Sequence, residues 1–196
     1  MIINFTKKEE MNIDDKKAIA QIIKDGFWGK MANFFKRADN NETLNVLEES
    51  ITFDKGFYYK EDGIVLGVVL LSTKKIPYLH FGKSARKKLG FWNATLLQIG
   101  FATLNPKYSD GLKLEMIAVS PEARGKGVGT KMFDHLYKIA KNEGFQILTL
   151  EVIDSNKKAK DLYTRLGYKE VKYSSSALFT RNMGFNGSFT MQKSIE

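Results

Sequence analysis

Residues 112–137 read LKLEMIAVSPEARGKGVGTKMFDHLY, and this stretch decides how the rest of the chain is read. Leu112 to Val119 is an apolar run with the look of a strand. Ser120 to Gly129 is a loop that ends in Arg124-Gly125-Lys126-Gly127-Val128-Gly129. From Val128 the period turns helical: Val128, Met132, Phe133, Leu136, Ile139 and Ala140 share one face of a 3.6-residue repeat. A strand, a glycine-rich turn and a helix in that order make an anion site. The first amides of a helix have no partner inside it, and the helix dipole places partial positive charge there. Glycines let the backbone pass through positive φ and come close to a phosphate. Arg124, Lys126 and Lys131 add cationic charge.

Two common phosphate patterns fail here. A P-loop needs Lys-Ser/Thr directly after its last glycine, whereas Gly129 is followed by Thr130-Lys131. The dinucleotide fingerprint needs Gly or Ala three residues after its second glycine, and that position is Thr130. What stands is Arg-x-x-Gly-x-Gly at Arg124, Gly127 and Gly129, after Met116-Ile117-Ala118-Val119-Ser120-Pro121-Glu122. An ordinary strand-to-helix turn with solvated basic residues would satisfy that pattern too. A second motif follows. Ile147 to Ile153 is another strand, Asp154-Ser155-Asn156 supplies turn and cap residues, and Lys157 to Leu166 reads as a helix. Ala159, Leu162, Tyr163 and Leu166 mark its inner face, and Gly167 stops it.

Taken together, the glycine loop, Asn156, Leu162-Tyr163, Leu166 and Gly167-Tyr168 resemble the GNAT superfamily of N-acetyltransferases. The resemblance is close over residues 110–173 and extends elsewhere only as topology. It implies an α/β (α+β) fold: a central, mixed, mostly antiparallel twisted sheet of about six to seven strands flanked by helices. A single domain would cover residues 1–196. The implied co-substrate is acetyl-CoA. The backbone of Ile117, Ala118 and Val119 would hold its pantetheine arm and thioester. The amides of Arg124, Gly125, Lys126, Gly127, Val128, Gly129 and Thr130 would hold its pyrophosphate, and Asn156 would touch the arm or nearby atoms. Tyr163 matches the family tyrosine beside the cofactor that protonates the leaving thiolate; it also reads as a core tyrosine. Glu115 is the candidate base, directly or through water, because strand alternation points it opposite to Leu114 and Met116. It reads equally as a structural charge near Lys113. The expected reaction is acetyl transfer to a primary amine by direct attack in a ternary complex.

Composition sets outer limits. Apolar residues make up 43% and charged residues 27%, a globular profile with no apolar run long enough to span a bilayer. There is no cysteine, so no disulfide or thiol nucleophile, which fits a cytoplasmic protein. No signal-peptide pattern opens the chain. His80 and His135 are the only imidazoles and lie in no metal-like cluster, so no metal is expected. The formal net charge is +9. A nucleic-acid partner is one reading of it, disfavoured because no element interleaves basic residues with aromatics. Coenzyme A is itself a polyanion and accounts for part of it.

In order, Met1 to Thr6 reads as a strand. A helix follows with Ile19, Ile22, Ile23 and Phe27 on one face, and Phe27, Trp28, Phe34 and Phe35 cluster as core or acceptor-pocket wall. Asn41 to Ile51 is a second helix with Leu44, Leu47 and Ile51 inward. Phe57 to Lys60 and Ile64 to Ser72 form a hairpin across Asp62-Gly63, and Gly67 signals close backbone packing or a bulge. Residues 76–111 form an insertion between the third and fourth strands, with a helical period over Lys83 to Phe101. Tyr168 to Tyr173 is a strand interrupted by Ser174-Ser175-Ser176, and Gly187 to Ser194 is the last. Phe179, Arg181 and Phe185 are candidate acceptor-side residues. The acceptor is a small-molecule or peptide amine, no membrane partner is expected, and a homodimer is left open. The competing reading is a non-catalytic CoA-binding sensor or interaction module.

Overall fold

The computed structural model describes residues 1–5, 10–31, 39–51, 55–73, 87, 90, 111–175 and 184–196, with the side chains of 27–31 outside that description. The elements are β1 (Ile2–Asn4), α1 (Ile13–Met31), α2 (Asn40–Ser50), β2 (Gly56–Glu61), β3 (Ile64–Ser72), β4 (Leu112–Val119), α3 (Val128–Asn142), β5 (Ile147–Ile153), α4 (Lys157–Arg165), β6 (Lys169–Ser175) and β7 (Gly187–Ser194). One seven-stranded sheet runs β1-β2-β3-β4-β5-β7-β6. Every pair is antiparallel except β4–β5, so the mixed, mostly antiparallel sheet expected from the sequence is what forms.

The sheet carries an apolar cluster on each face. On one, Ile19 and Ile23 of α1 and Val46 and Leu47 of α2 bury against Val68, Leu70, Met116 and Ala118. On the other, Met132, Leu136 and Ala140 of α3 bury against Leu71, Leu112, Leu114, Leu148 and Leu150. β3 is apolar on both sides because both faces are covered. α2 starts with a capping box: Asp39 accepts from the Glu42 amide at 2.8 Å, and Glu42 accepts from the Asp39 amide. Asp62 and Gly63, both at positive φ, close the two-residue β2–β3 turn that Asp-Gly predicts. At Gly67 a Cβ would stand 2.9 Å from Met132 and 3.1 Å from the Ala118 carbonyl, so α3 packs onto bare backbone there. The β2–β3 register also shifts beside it.

Several sequence expectations are corrected. β6 runs through Ser174 and Ser175, paired with Ser188 and Gly187. Leu162 is 39% exposed and no α4 residue is fully buried, so the inner face of α4 is Ala159, Tyr163 and Leu166, all partly covered. Phe185 is buried rather than open to an acceptor. The helix over Lys83 to Phe101, Phe34, Phe35, Phe179 and Arg181 lie outside the described residues or nearly so, and the side chains of Phe27 and Trp28 with them.

Candidate active site where β4 and β5 part

β4 and β5 run side by side only from Leu112↔Leu148 to Leu114↔Leu150. Beyond that, β4 continues to Val119 and β5 to Ile153 with no ladder between them. On its other edge β4 stays paired to β3, Val69 opposite Ile117 and Gly67 opposite Val119. The backbone of Ile117, Ala118 and Val119 therefore lines one side of a wedge whose other side is β5. An extended polar chain entering the wedge could take up the strand hydrogen bonds that β5 leaves.

The wedge opens toward the glycine loop. After the turn Pro121–Ala123, Gly125 and Gly127 adopt φ of 77° and 78°, the left-handed region that a β-carbon disfavours. A Cβ at either would meet nothing within 4 Å, so the loop's outer surface is open. Gly127 is the N-cap of α3 and offers no side chain to the first-turn amides. Val128 is buried and anchors the helix, while Arg124, Gly125, Lys126, Gly127 and Thr130 are exposed and Gly129 is half-buried. Arg124 Nε donates to the Val119 carbonyl at 3.3 Å, which folds the guanidinium over the end of β4. Lys131 donates to the Tyr59 hydroxyl at 3.1 Å, and that bond holds its ammonium pKa above the usual value. These features make an anion cradle one turn from the wedge.

Asn156 caps α4, its side-chain oxygen accepting from the Ala159 amide at 3.2 Å. On α4, Tyr163 packs edge-on to Phe133 of α3 (6.0 Å between centroids) and near Tyr168 (6.1 Å). Burial pushes the Tyr163 phenol up to about 12, so at neutral pH it holds its proton and is a donor. Tyr163 sits with the α3-side cluster.

Glu115 is on the opposite face, across from Leu114 as alternation expects, but Met116 is not where alternation puts it. Leu71 pairs with Leu114 and Leu70 with Met116, leaving Glu115 as an extra residue in β4, a β-bulge. Leu114 joins the α3 cluster, whereas Met116 joins the α1 cluster, so Met116 lies on the same side as Glu115 and not opposite it. Nor does Glu115 stand free in a cleft. Its side chain is 4% exposed, ion-paired to Lys113 at 3.1 Å, and accepts a hydrogen bond from Ser72. Lys113 also lies 3.7 Å from Glu151 of β5. The sequence reading missed Ser72 and Glu151 and treated Lys113 only as a neighbour. The available signal was a Lys-x-Glu pair inside a run otherwise apolar enough for a central strand. Among the described residues no group of acidic, histidine or cysteine side chains could hold a metal.

A family model described as acetyltransferase (GNAT) family matches residues 28–168. The thialysine N-epsilon-acetyltransferase of Bos taurus is 43% identical over 58 residues, 30% of this chain and 34% of that protein. The mouse protein of the same name is 41% identical over 71 residues, 36% of this chain and 42% of that one. The chain thus matches less than half the length of these relatives. Among solved structures, an N-acetyltransferase from Staphylococcus aureus Mu50 superposes with a TM-score of 0.66 over 98% of this chain and 100% of that one, at 16% identity. The Escherichia coli ribosomal-protein-S18-alanine N-acetyltransferase gives 0.58 at 17% identity, over 100% and 94%. These structural likenesses speak to the fold.

Proposed function

Because this chain belongs to the acetyltransferase (GNAT) family, we propose that it transfers the acetyl group of acetyl-CoA to a primary amine, by direct attack within a ternary complex. The observation that carries the proposal is the β4–β5 wedge opening onto the uncapped start of α3, with a carboxylate on one face of the sheet and a phenol on the other. The pyrophosphate sits on the amides from Arg124 to Thr130. The pantetheine arm extends along Ile117, Ala118 and Val119, with the Asn156 side-chain amide nitrogen facing it. The thioester carbonyl lies in the wedge.

The amine is mostly protonated at neutral pH, since a lysine-like amine has a reference pKa near ~10.4. Glu115, directly or through a water, takes one proton from it, and the free amine attacks the thioester carbonyl. A C–N bond forms and the C–S bond breaks. The departing thiolate takes the Tyr163 proton; the nitrogen gives its second proton to solvent, and the phenol regains one from solvent. Glu115 then releases its proton to solvent, so the sum is one amide, one CoA thiol and one proton. The amine reaches the carbonyl from the α1 side and the thiol leaves on the α3–α4 side. The acceptor is a small-molecule or peptide amine. The thialysine acetyltransferase relatives make an aminoethyl side chain a reasonable first trial, and the proposed setting is the cytoplasm.

The test is thiol release from acetyl-CoA over a panel of thialysine, diamines, amino sugars and short peptides, for the wild type and Tyr163→Phe. Release should depend on the amine and fall by about 100-fold in the variant, as for loss of a general acid. Cofactor binding with no release on any amine would return the sensor reading.

A further inference from the structure

A cavity of about 380 Å³ lies between α3, the end of α4 and the paired part of the sheet. Small-molecule sites run from roughly 300 to 1,000 Å³. Its floor is Leu148 of β5, and its apolar walls are Phe133 of α3, Leu166 at the end of α4, and Tyr168. Leu148 stands where β5 is still paired to β4, opposite Leu112. Tyr137, also on the wall, is about 15 Å along α3 from its N-cap Gly127, at 1.5 Å per residue. The cavity therefore sits at the closed end of the β4–β5 pair, apart from the wedge and the glycine loop. Lys193 of β7 is the cross-strand neighbour of Leu148, which puts its side chain on the same face of the sheet. Its ammonium is 4.9 Å from the centre of the Tyr137 ring and 3.9 Å from where a Cβ of Gly167 would stand, so it lies between the two helices. Lys138 and Asp134, exposed on α3, complete the rim. Among the described residues neither lysine has a carboxylate within ion-pair distance. Tyr168 is 3% exposed, and its hydroxyl meets no hydrogen-bond partner in the protein. Buried hydroxyls are nearly always bonded. Burial, and after it the nearby Tyr163, holds the Tyr168 phenol above its ordinary pKa, so it remains a donor.

We propose that this cavity is a ligand site separate from the wedge, and that it takes a small monocarboxylate with an apolar body. The body lies against Phe133, Leu148 and Leu166. The carboxylate meets Lys193, with Lys138 beside it, and Tyr168 supplies an unsatisfied donor from the wall. The sign follows from the rim. Two lysines against one aspartate leave it net positive, so an anionic guest is favoured over a neutral or cationic one of the same shape. The apolar body follows from the walls. An inorganic anion would meet the lysines and leave the aliphatic and aromatic surface unused. None of these residues holds acetyl-CoA in the proposed reaction, so failure of this inference would leave that reading untouched.

The experiment titrates the full chain, with 13C label in its leucine methyls, with phenylpropionate, octanoate, phenylpropanol and inorganic phosphate. The Leu148 and Leu166 signals are identified by their loss in Leu148→Met and Leu166→Met. One or both carboxylates should move the two signals saturably, the alcohol should bind about tenfold more weakly, and phosphate should leave them in place. Lys193→Gln should bring the acid down to the affinity of the alcohol. Tyr168→Phe should weaken the acid about threefold without lowering the thermal midpoint, because the hydroxyl has no protein partner to lose. Saturating CoA should leave the acid bound. Should Lys193→Gln fail to fold, Tyr168→Phe and the comparison of acid with alcohol carry the test. Unmoved leucine signals with both carboxylates, equal affinity for acid and alcohol, or an acid affinity unchanged in Lys193→Gln would overturn the proposal. Displacement of the acid by CoA would also overturn it, since the cavity would then belong to the co-substrate site.

Discussion

On the proposed mechanism Tyr163 and Asn156 each have a structural and a functional job, and the two can be separated by measurement. The Tyr163 ring fills space between Phe133 and Tyr168, while its hydroxyl is the part the proposed mechanism uses. Tyr163→Phe keeps the ring, so its thermal midpoint should change little while kcat falls. Because burial holds the phenol near about 12, the rate should not decline on the alkaline side through loss of this proton until well above pH 10. A pH–rate profile with a basic limb near 9 that vanishes in Tyr163→Phe would contradict that. Asn156 caps α4 through its side-chain oxygen. Asn156→Ala should lower stability by about 1 kcal/mol, read by urea unfolding. Asn156→Asp keeps the capping oxygen and replaces the amide nitrogen with a negative charge. It should leave stability near the wild type and raise KM for acetyl-CoA.

Elements whose signal was local were legible in the sequence. The Asp62-Gly63 turn, the α3 apolar face from Val128 to Ala140 and the last strand from Gly187 to Ser194 follow from residue spacing alone, and all three are found. What alternation misread in β4 was Met116, just after Glu115. A period of two carries Leu112 and Leu114 to one face, but an inserted residue sends Met116 and Ala118 to the other, and no residue type announces a bulge. α4 was misjudged at Leu162: it is apolar at the right spacing, yet it is 39% exposed and no residue of the element is completely buried. Two glycines give tests at this scale. Gly67→Ala would press a methyl into Met132 and the Ala118 carbonyl, so it should cost about 1–3 kcal/mol in denaturant unfolding. Gly127→Ala meets no atom and strains only the left-handed backbone, by about 1–2 kcal/mol. Its larger effect should be on KM for acetyl-CoA, because the strain falls on the phosphate cradle.

At the scale of the molecule, the buried phenols govern alkaline stability. Burial raises Tyr163 to about 12, and Tyr58, held by desolvation and by its bond to Asp15, also rises to about 12, from an ordinary value of 10.0. A group whose folded pKa is raised stabilises the fold below its unfolded value and loses that contribution as pH climbs toward the folded one. The thermal midpoint should therefore hold up to about pH 10 and fall between pH 10 and 12. The net charge of +9 bears on association with anions rather than on the fold. If the loop cations serve a polyanionic co-substrate, KM for acetyl-CoA should rise several-fold as salt shortens the Debye length from about 10 Å to about 3 Å. The most direct test of the whole account is calorimetric titration of acetyl-CoA into the wild type and Gly127→Ala at low salt. One saturable site, displaced by free CoA and weakened in the variant, is the predicted result. Absence of binding heat and of CoA competition in the wild type would contradict the assignment of the wedge and the glycine loop to this co-substrate.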